Sequence, residues 1–333
     1  MKAFFIEKYA KQAILRLGDR PEPEMGDNDL LIEIRAASIN QLDSKLKTGE
    51  FKLIIPHAMP LILGHDLSGV VLKTGSRVTR FKAGDEVYGC LPVNRIGAYA
   101  ERVAVEETYF ARKPKNITFE EAASIPVVGL TAWQAFVDIA KVKPGQRVFI
   151  QAGSGGVGTI AIQVAKHLGA TVATTVSGPS AEMVKGLGAD VIIDYRKDDF
   201  GAVLKDYDAA LNSQDAASLA KSANILKSGG NLISISSPPD PAYARAAGLN
   251  AFLRMAIWGM SYSIRAATRK RGVRYTFLFM RPNGADLEQL TKLIEAGAIR
   301  PVLDRTFPFA ETPQAMAYVE TGRAKGKVVV SMG

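Results

Sequence analysis

A glycine-rich loop between a predicted strand and a predicted helix constrains the fold of this chain more than any other feature. The strand Arg147–Gln151 runs directly into Ala152–Gly158, and an apolar-striped helix follows over Val157–Leu168. In a dinucleotide-binding loop the first glycine allows the tight turn, the second leaves room for the pyrophosphate, and the third lets the helix pack close to the strand. These three glycines are Gly153, Gly155 and Gly158.

The position of this loop ahead of a helix predicts a phosphate site. The backbone amides of Gly156 and Val157 are expected to face the phosphates at the positive end of the helix. A glycine-rich turn without a ligand is the alternative, and the strand and helix on either side of the loop argue against it.

Beyond residue 123, apolar runs of strand length alternate with helical stretches such as Ser180–Leu187 and Ala216–Leu226. This alternation predicts crossover units and a buried parallel sheet. Six such strands are the number found in a doubly wound Rossmann domain of the α/β class. The predicted strands are Arg147–Gln151, Thr171–Val176, Val191–Asp194, Ala209–Asn212, Asn231–Ser236 and Tyr275–Met280.

The two ends of the chain predict a second, β-rich domain. Short β-prone runs separated by turn residues fill the first third of the sequence. A tail beyond Pro282 is expected to lack a crossover of its own and to complete the N-terminal domain. We therefore predict an irregular, mostly antiparallel domain from residues 1–123 and 283–333, and a dinucleotide-binding domain from residues 124–282. The tail elements are predicted at Ala285–Ala296, Val302–Phe307 and Lys327–Ser331.

Composition excludes several classes of protein. The 333 residues include one cysteine, Cys90, so a disulfide framework, a four-cysteine zinc lobe and a CxxC redox motif are impossible. We expect a reducing compartment and a cytoplasmic location. The apolar stretch Leu249–Ile264 contains Arg254 and is shorter than the roughly 18 uncharged residues of a spanning helix, so no transmembrane segment is predicted. The net charge of +9 suits a polyanionic cofactor as well as nucleic acid.

The residues after the second predicted strand bear on the choice of nicotinamide cofactor. An NAD site has Asp or Glu about 20 residues beyond the glycines, where the carboxylate accepts from the ribose 2′-hydroxyl. This chain has Ser177 there and reaches its first acid at Glu182. NADPH is therefore the predicted cofactor, with Lys185 or Arg196 as candidates for the missing cation. The alternative is that Ser177 only forms a turn.

Several short stretches, each loose by itself, form a specific set that spans the whole chain. They are Ala37–Asp43 with Gly49, Leu63–Val71, Ala152–Gly158, Leu187–Asp190 with Asp194 and Tyr195, and in the tail Ile299–Val302, Phe307–Phe309 and Gly326–Val328. The chain thereby resembles the zinc-independent branch of the medium-chain dehydrogenase/reductases, the quinone oxidoreductase and enone (alkenal) reductase group. Its tail resembles the reticulon-interacting mitochondrial quinone oxidoreductases. The resemblance implies a GroES-like catalytic domain beside the Rossmann domain.

The same resemblance implies that no metal is bound. Zinc-dependent relatives hold catalytic zinc with a cysteine, a histidine and a second cysteine or acid. This sequence has Asn40 at the first position and Val127 near the last, so only His65 remains. One imidazole cannot supply the three protein ligands of a catalytic zinc. A site formed by His65 with the carboxylates of Asp43 and Asp66 is the remaining alternative, since carboxylates also bind zinc.

The resemblance also implies cofactor roles, which are carried over residue by residue. Asn40 and Thr131 match positions beside the nicotinamide end, and Ser177 and Tyr195 match the 2′-phosphate and adenosine side. Ordinary structural roles remain open for them, such as a helix cap at Thr131 and packing at Tyr195. The other matching positions are Ser154, Gly156 and Val157 in the pyrophosphate loop, and Asn212, Ile235, Ser236 and Phe279 where the sheet edge meets the nicotinamide.

Chemistry without a metal favours conjugated acceptors. The nicotinamide supplies a hydride, and hydrogen-bond donors or water must stabilise the charge that develops on the oxygen. Asn40 and His65 are the catalytic candidates, with a structural role for His65 and solvent as the acid left open. Asp43 and Tyr99 are weaker candidates. The predicted function is NADPH-dependent reduction of quinones or α,β-unsaturated carbonyls; the alternative is an NADPH sensor or an RNA- or partner-binding protein with little turnover.

A basic stretch lies late in the predicted Rossmann domain. Arg265, Arg269, Lys270, Arg271 and Arg274 follow an apolar helical run. Three interpretations remain: a substrate cap or dimer contact, a membrane-surface helix, and contact with RNA. We rank the cap or dimer contact first and nucleic acid last, since no aromatic platform for RNA is evident. A homodimer with a small-molecule substrate is expected.

Overall fold

The computed structural model describes residues 1–11, 13–236 and 238–333, and the chain divides into two compact units. The first unit combines Met1–Leu130 with Arg281–Gly333, and the second is Thr131–Met280. The helix Pro126–Trp133 crosses the boundary after Leu130. The sequence-based domain limits at 123/124 and 282/283 differ from these bounds and stay a prediction.

The second unit contains a parallel sheet of six strands within the described residues. In spatial order the strands are Val191–Asp194, Thr171–Val176, Arg147–Ile150, Tyr207–Asn212, Leu226–Ser234 and Arg274–Phe277. All five pairings are parallel. The predicted doubly wound sheet is confirmed, and its order reverses beside Arg147–Ile150, where such sheets bind their ligands.

Helices connect these strands, and several begin at a side-chain cap. The carboxylates of Asp199, Asp215 and Asp240 and the amide of Asn250 accept from backbone N–H groups of the first turn, as good N-caps do. The helices are Gly156–His167, Ala181–Gly186, Phe200–Val203, Ala216–Asn224, Pro241–Ala246, Ala251–Met260 and Tyr262–Lys270, with a 3₁₀ turn at Gly178–Ser180 and a π-helical stretch at Gln134–Ile139. In the described part of the chain, no helix is long and apolar enough to cross a bilayer.

The described residues of the first unit form two sheets, as expected for a β-rich domain. The larger sheet has Leu303–Pro308, Lys327–Ser331, Asp29–Ile39, Asp66–Thr74, Glu86–Cys90 and Phe110–Arg112 in spatial order, with Arg102–Glu106 also paired to Asp29–Ile39. The smaller sheet has Arg16–Asp19, Lys2–Ile6 and Leu61–Ile62. The helices are Gln41–Thr48, Phe119–Ala123, Gly284–Glu295 and Thr312–Glu320, with 3₁₀ turns at Glu107–Tyr109 and Phe309–Glu311.

The tail corrects one expectation. Strands Leu303–Pro308 and Lys327–Ser331 are paired in parallel, and the helix Thr312–Glu320 lies between them in sequence, so the tail has a crossover of its own. Lys327–Ser331 then pairs antiparallel with Asp29–Ile39 and joins the tail to the N-terminal sheet, as predicted. Sequence analysis missed the crossover because it did not identify the helix.

Candidate active site

The glycine loop at the end of strand Arg147–Ile150 is packed too tightly for side chains at two of its glycines. A Cβ at Gly153 would collide with Thr174 Oγ1, and a Cβ at Gly158 would collide with the backbone oxygen of Ala152. At Gly155 the nearest atom would be that same oxygen, 3.3 Å away. The first and third glycines therefore allow close packing against the neighbouring strand and within the loop, and a Cβ at the second would meet only one atom within 4 Å, at a tight distance.

The helix Gly156–His167 begins directly at this loop. Gly155 is its N-cap, no side chain caps it, and its first turn carries no acid. The first amides of a helix have no partner within the helix, so those of Gly156 and Val157 are available to an anion. Ser154, just before them, is buried. This loop can hold a pyrophosphate through its backbone alone.

Ser177 follows the second strand and is 5% exposed. Its carbonyl accepts from Ser180 N at 2.8 Å, which closes a short 3₁₀ turn. Tyr195 N donates to Val176 O at 3.1 Å, so the residues after the neighbouring strand lie at the same edge as Ser177. Tyr195 itself is 58% exposed, and the guanidinium of Arg196 lies 6.0 Å from the centre of its ring.

The carboxylate of Asp194, which the sequence did not indicate as part of the cofactor site, also lies at this edge. A Cβ at Gly178 would be 3.0 Å from Asp194 Oδ2, so the carboxylate lies close to the loop after the second strand. Asp194 Oδ1 accepts from the backbone N–H of Arg196 at 3.1 Å. A carboxylate and a guanidinium thus both approach the region predicted to bind the 2′-phosphate.

Polar side chains gather at the ends of the next two strands. The fully buried side-chain amide of Asn212 lies 2.5 Å from Gln151 Oε1 and 3.1 Å from Ser236 Oγ. Ile235 N donates to Asn212 O at 3.0 Å, and Ser236 Oγ donates to Gln214 O. The structure therefore brings Asn212, Ile235 and Ser236 together at one edge of the sheet.

Two further predicted cofactor residues lie elsewhere in the same unit. Thr131 is buried in the helix Pro126–Trp133. Phe279 follows the last strand, and its ring centre is 5.5 Å from that of Tyr243. Tyr243 also packs edge-on against Phe277 at 5.2 Å. One side of the Phe279 ring therefore packs against Tyr243, a residue of the same unit.

In the first unit, a buried carboxylate orients the predicted catalytic histidine. Asp43 Oδ1 lies 2.6 Å from His65 Nδ1, and Asp43 Oδ2 accepts from Tyr99 Oη at 2.7 Å and from Asn40 N at 2.8 Å. Because the carboxylate is an acceptor, Nδ1 carries the proton. His65 Nε2 is buried and has no hydrogen-bond partner among the described residues.

A second buried carboxylate, Asp66, lies beside this pair. Its Oδ2 accepts from Ser38 Oγ at 2.8 Å and from Asn40 Nδ2 at 3.0 Å, and its Oδ1 accepts from Val127 N at 2.8 Å. The ammonium of Lys327, 5% exposed, donates to Asn40 Oδ1 at 2.5 Å and lies 3.4 Å from Asp66 Oδ2. The amide of Asn40 therefore bridges a buried anion and a buried cation, as buried charges require.

Burial and these carboxylates suppress ionisation of their neighbours. The pKa of the Cys90 thiol is raised well above its usual value by burial and by the charges of Asp66 and Asp43. Burial and the adjacent Asp43 carboxylate likewise raise the pKa of the Tyr99 phenol. Cys90 is thus a neutral core thiol rather than a nucleophile.

The residues of this cluster do not fit a catalytic zinc. The oxygen of Asn40, at the first predicted ligand position, accepts from the Lys327 ammonium, and a second cation there would be repelled. Val127 contributes a backbone N–H to Asp66. Within the residues that the structure describes, no three His, Cys, Asp or Glu side chains are grouped to hold a metal.

Sequence reasoning missed three charged residues of these sites. Lys327 lies 262 positions beyond His65, and its only sequence signal was its place in the tail motif Gly326–Val328. Asp66 follows His65 directly but was not considered as an acceptor for Asn40. Asp194 was identified as part of a motif, without the observation that adjacent parallel strands end at a common edge.

Comparisons with known proteins agree with this fold. The family "Alcohol dehydrogenase GroES-like domain" matches residues 26–115, and "Zinc-binding dehydrogenase" matches residues 187–330. The mouse (Mus musculus) protein "NAD(P)H oxidoreductase RTN4IP1, mitochondrial" is 34% identical over 359 residues, covering 100% of this chain and 89% of the relative. The Arabidopsis thaliana "NADPH-dependent alkenal/one oxidoreductase, chloroplastic" is 34% identical, covering 99% of this chain and 79% of the relative.

A solved structure shows that the similarity includes the three-dimensional fold. The quinone oxidoreductase from Coxiella burnetii has a TM-score of 0.87 and 31% identity, covering 100% of this chain and 99% of its own. The predicted combination of Rossmann and GroES-like domains is thereby confirmed. The chain belongs to the medium-chain dehydrogenase/reductase superfamily, in its quinone oxidoreductase and enone reductase group, and is an oxidoreductase dependent on NAD(P)H.

Proposed function

We propose that the protein is an NADPH-dependent reductase of quinones or α,β-unsaturated carbonyl compounds. The observation that carries the proposal is the glycine loop, where a helix without a side-chain cap begins at the point at which the strand order reverses. The Arabidopsis relative acts on alkenals and enones by its name, and the Coxiella structure is that of a quinone oxidoreductase. The rival interpretation as a sensor without turnover has no observation of its own in its favour.

The proposed cofactor residues follow the order of the sheet. The pyrophosphate is assigned to the loop, the adenosine 2′-phosphate to the edge at Ser177 and Tyr195, and the nicotinamide to the remaining positions. The loop residues are Gly153, Ser154, Gly155, Gly156, Val157 and Gly158. The nicotinamide residues are Asn40, Thr131, Asn212, Ile235, Ser236 and Phe279.

Preference for NADPH depends on the balance of charge at the edge near Ser177. Ser177 brings no carboxylate, and Arg196 is the better of the two predicted cations because it follows directly on Asp194 and Tyr195. The Asp194 carboxylate opposes this preference. We expect NADPH to bind about tenfold more tightly than NADH, which is about 1.4 kcal/mol.

That preference is tested by titrating both cofactors against protein fluorescence. Ser177→Asp should reverse the order, because the new carboxylate accepts from a 2′-hydroxyl and repels a 2′-phosphate. Arg196→Gln should weaken NADPH alone, and Asp194→Asn should strengthen it. Equal affinities of the parent protein for the two cofactors would contradict the assignment.

The chemistry requires a hydride and a proton. Bound NADPH supplies the hydride to an electron-poor carbon. The protein's contribution is the Asp43–His65 pair: Asp43 accepts from Nδ1–H, so Nε2 carries a hydrogen only when the ring is an imidazolium. In that form Nε2–H donates its proton to a developing oxyanion or enolate, and the ring returns to the neutral form. A conjugated acceptor suits this weak activation, because its negative charge spreads over several atoms.

Turnover is tested by following NADPH absorbance with a panel of quinones, alkenals, enones and simple ketones. We expect oxidation of NADPH with conjugated acceptors and none with simple ketones. NADPH binding without turnover on any acceptor would refute the proposed activity. The variant His65→Gln distinguishes His65 from solvent as the proton donor. If the pH profile of kcat is unchanged in this variant, the proton comes from water.

Three further features belong to this proposal. We propose a homodimer, the state expected from the sequence. We also propose a cytoplasmic location and no nucleic acid as the primary partner. Light scattering after size exclusion, fractionation of cells and RNA gel shifts test these three points in turn.

A further inference from the structure

Two consecutive helices of the second unit, Ala251–Met260 and Tyr262–Lys270, expose an unusual amount of apolar surface. We call them the tandem helices. The exposed fractions are 72% for Phe252, 67% for Met255 and 51% for Trp258. Soluble proteins rarely expose contiguous apolar patches of this kind unless something covers them.

The outward direction of these side chains is set by a well-anchored inner face. Ile257, Ser261, Ile264 and Thr268 are buried at spacings of four, three and four residues, the period of a helix. Ser261 Oγ donates to Ile257 O and Thr268 Oγ1 donates to Ile264 O, both at 2.9 Å. The apolar residues on the other face therefore point away from the core of their own unit.

Aromatic and cationic groups combine on the exposed face. The ring centres of Trp258 and Tyr262 are 5.4 Å apart, and Tyr262 is 56% exposed. The guanidinium of Arg265 lies 5.4 Å from the Trp258 ring and donates to Trp258 O at 2.8 Å. Tryptophan, tyrosine and arginine with apolar stems are the residues that prefer a membrane–water interface.

The charged residues of the segment that contains the tandem helices are all basic. Residues 241–280 contain seven basic residues and no Asp or Glu, in a chain whose net charge is +9. In the described part of the chain, no carboxylate forms an ion pair with any of the seven. The basic residues are Arg245, Arg254, Arg265, Arg269, Lys270, Arg271 and Arg274.

We propose that the tandem helices dock the protein on the surface of an anionic phospholipid bilayer. Phe252, Met255, Trp258 and Tyr262 enter the boundary between headgroups and acyl chains, while the arginines and Lys270 contact lipid phosphates. This binding is peripheral, and it depends on the exposed surface alone, not on the proposed reductase activity.

A second copy of the chain and nucleic acid both fit this surface less well than a lipid bilayer does. A two-fold interface pairs a patch with its own copy, and here it would bring an all-basic segment against itself without a counter-charge. Nucleic acid would satisfy the arginines and could stack on Trp258, but it would leave Phe252 and Met255 without an apolar partner. A lipid surface matches both the charge and the apolar side chains.

The experiment is sedimentation of the full chain with vesicles of phosphatidylcholine alone and of phosphatidylcholine mixed with phosphatidylglycerol. We expect binding to the mixed vesicles, weakened by salt, and little binding to the neutral ones. Equal sedimentation with both vesicles, or with neither, would overturn the proposal.

Variants separate the contributions of charge and of apolar contact. Arg254→Gln/Arg269→Gln/Lys270→Gln should lower the partition coefficient about a hundredfold, at about fivefold per basic residue. A matched control removes three exposed lysines elsewhere and should change binding far less: Lys52→Gln/Lys73→Gln/Lys325→Gln. Equal loss in the two triple variants would show non-specific attraction to net charge and would contradict the assigned surface.

The apolar contact has its own control and reporter. Phe252→Ser/Met255→Ser should weaken vesicle binding, whereas Leu53→Ser, at a residue 78% exposed in the first unit, should not. The chain has two tryptophans. Binding should shift the protein's fluorescence to the blue, and Trp258→Phe should abolish the shift while vesicles still sediment the protein.

Three results would assign the surface to another occupant and refute the lipid proposal. The first is that Phe252→Ser/Met255→Ser changes the molar mass in solution and leaves vesicle binding intact. The second is that it raises KM for a water-soluble enone, again with vesicle binding intact. The third is that single-stranded RNA binds more tightly than the anionic vesicles at equal salt.

Discussion

Replacing the buried Lys327 by methionine tests whether the polar cluster of the first unit depends on its one ammonium. Methionine keeps most of the side chain's length and volume but removes the charge and all three donors. In the native protein, Lys327 Nζ donates to Asn40 Oδ1 at 2.5 Å and to Ile39 O at 3.3 Å, and it lies 3.4 Å from Asp66 Oδ2.

The expected cost follows from what the substitution leaves behind. Asp66 is fully buried, but its carboxylate still accepts hydrogen bonds from three other donors after the substitution. Removing one partner of a buried ion pair costs about 3–5 kcal/mol, and we place Lys327→Met near the lower end, at about 3 kcal/mol. Adding Asp66→Asn should recover much of this loss, because no net charge then remains to be desolvated.

The assay is equilibrium unfolding in urea, with the transition of the first unit followed in both variants. Lys47→Met is the matched control: its ammonium also contacts a carboxylate, that of Glu320, at 2.5 Å, but Glu320 is 33% exposed. We expect about 1 kcal/mol there, because water screens the pair. If Lys327→Met lowers the free energy of unfolding no more than Lys47→Met does, the buried Lys327 ammonium contributes no more than a partly solvated one, and the reasoning is refuted.

Three further predictions concern the candidate site. Gly158→Ala should reduce both NADPH affinity and stability, because its Cβ would collide with the backbone oxygen of Ala152. Gly155→Ala would place its Cβ 3.3 Å from that oxygen, a smaller strain, so it should cost less stability and should weaken NADPH binding strongly only if the pyrophosphate approaches there; fluorescence titration and thermal melting measure both. Asp43→Asn should lower kcat by about 10²-fold or more if His65 donates the proton, since the amide no longer stabilises the imidazolium, and equal turnover would refute that role. Cys90 should not react with a thiol reagent at neutral pH until the protein is unfolded, because its raised pKa keeps it protonated; rapid labelling of the native protein would contradict this.

Local pattern was sufficient for the glycine loop and the elements on either side of it. Strand 147–150 and helix 156–167 were predicted within one residue, because a strand buried on both faces and a helix with one apolar face have different periods that a short window can show. Boundaries were poorer where packing overrides the local signal. The strand Leu226–Ser234 begins before a glycine pair that reads as a turn, and Ser261 interrupts a run predicted as one helix.

The sequence by itself determined the family, the parallel sheet, the glycine loop and the lack of a full set of zinc ligands, since each can be read from short motifs or from residue identities at single positions. Tertiary structure alone decided the rest. It brought Lys327 to Asn40 and Asp66, placed Asp194 beside Gly178, and left His65 Nε2 without a hydrogen-bond partner in the part of the chain that the structure describes. These contacts join residues that are distant in the chain, or lie on adjacent strands, and local periodicity contains no information about which distant side chains will share one buried volume.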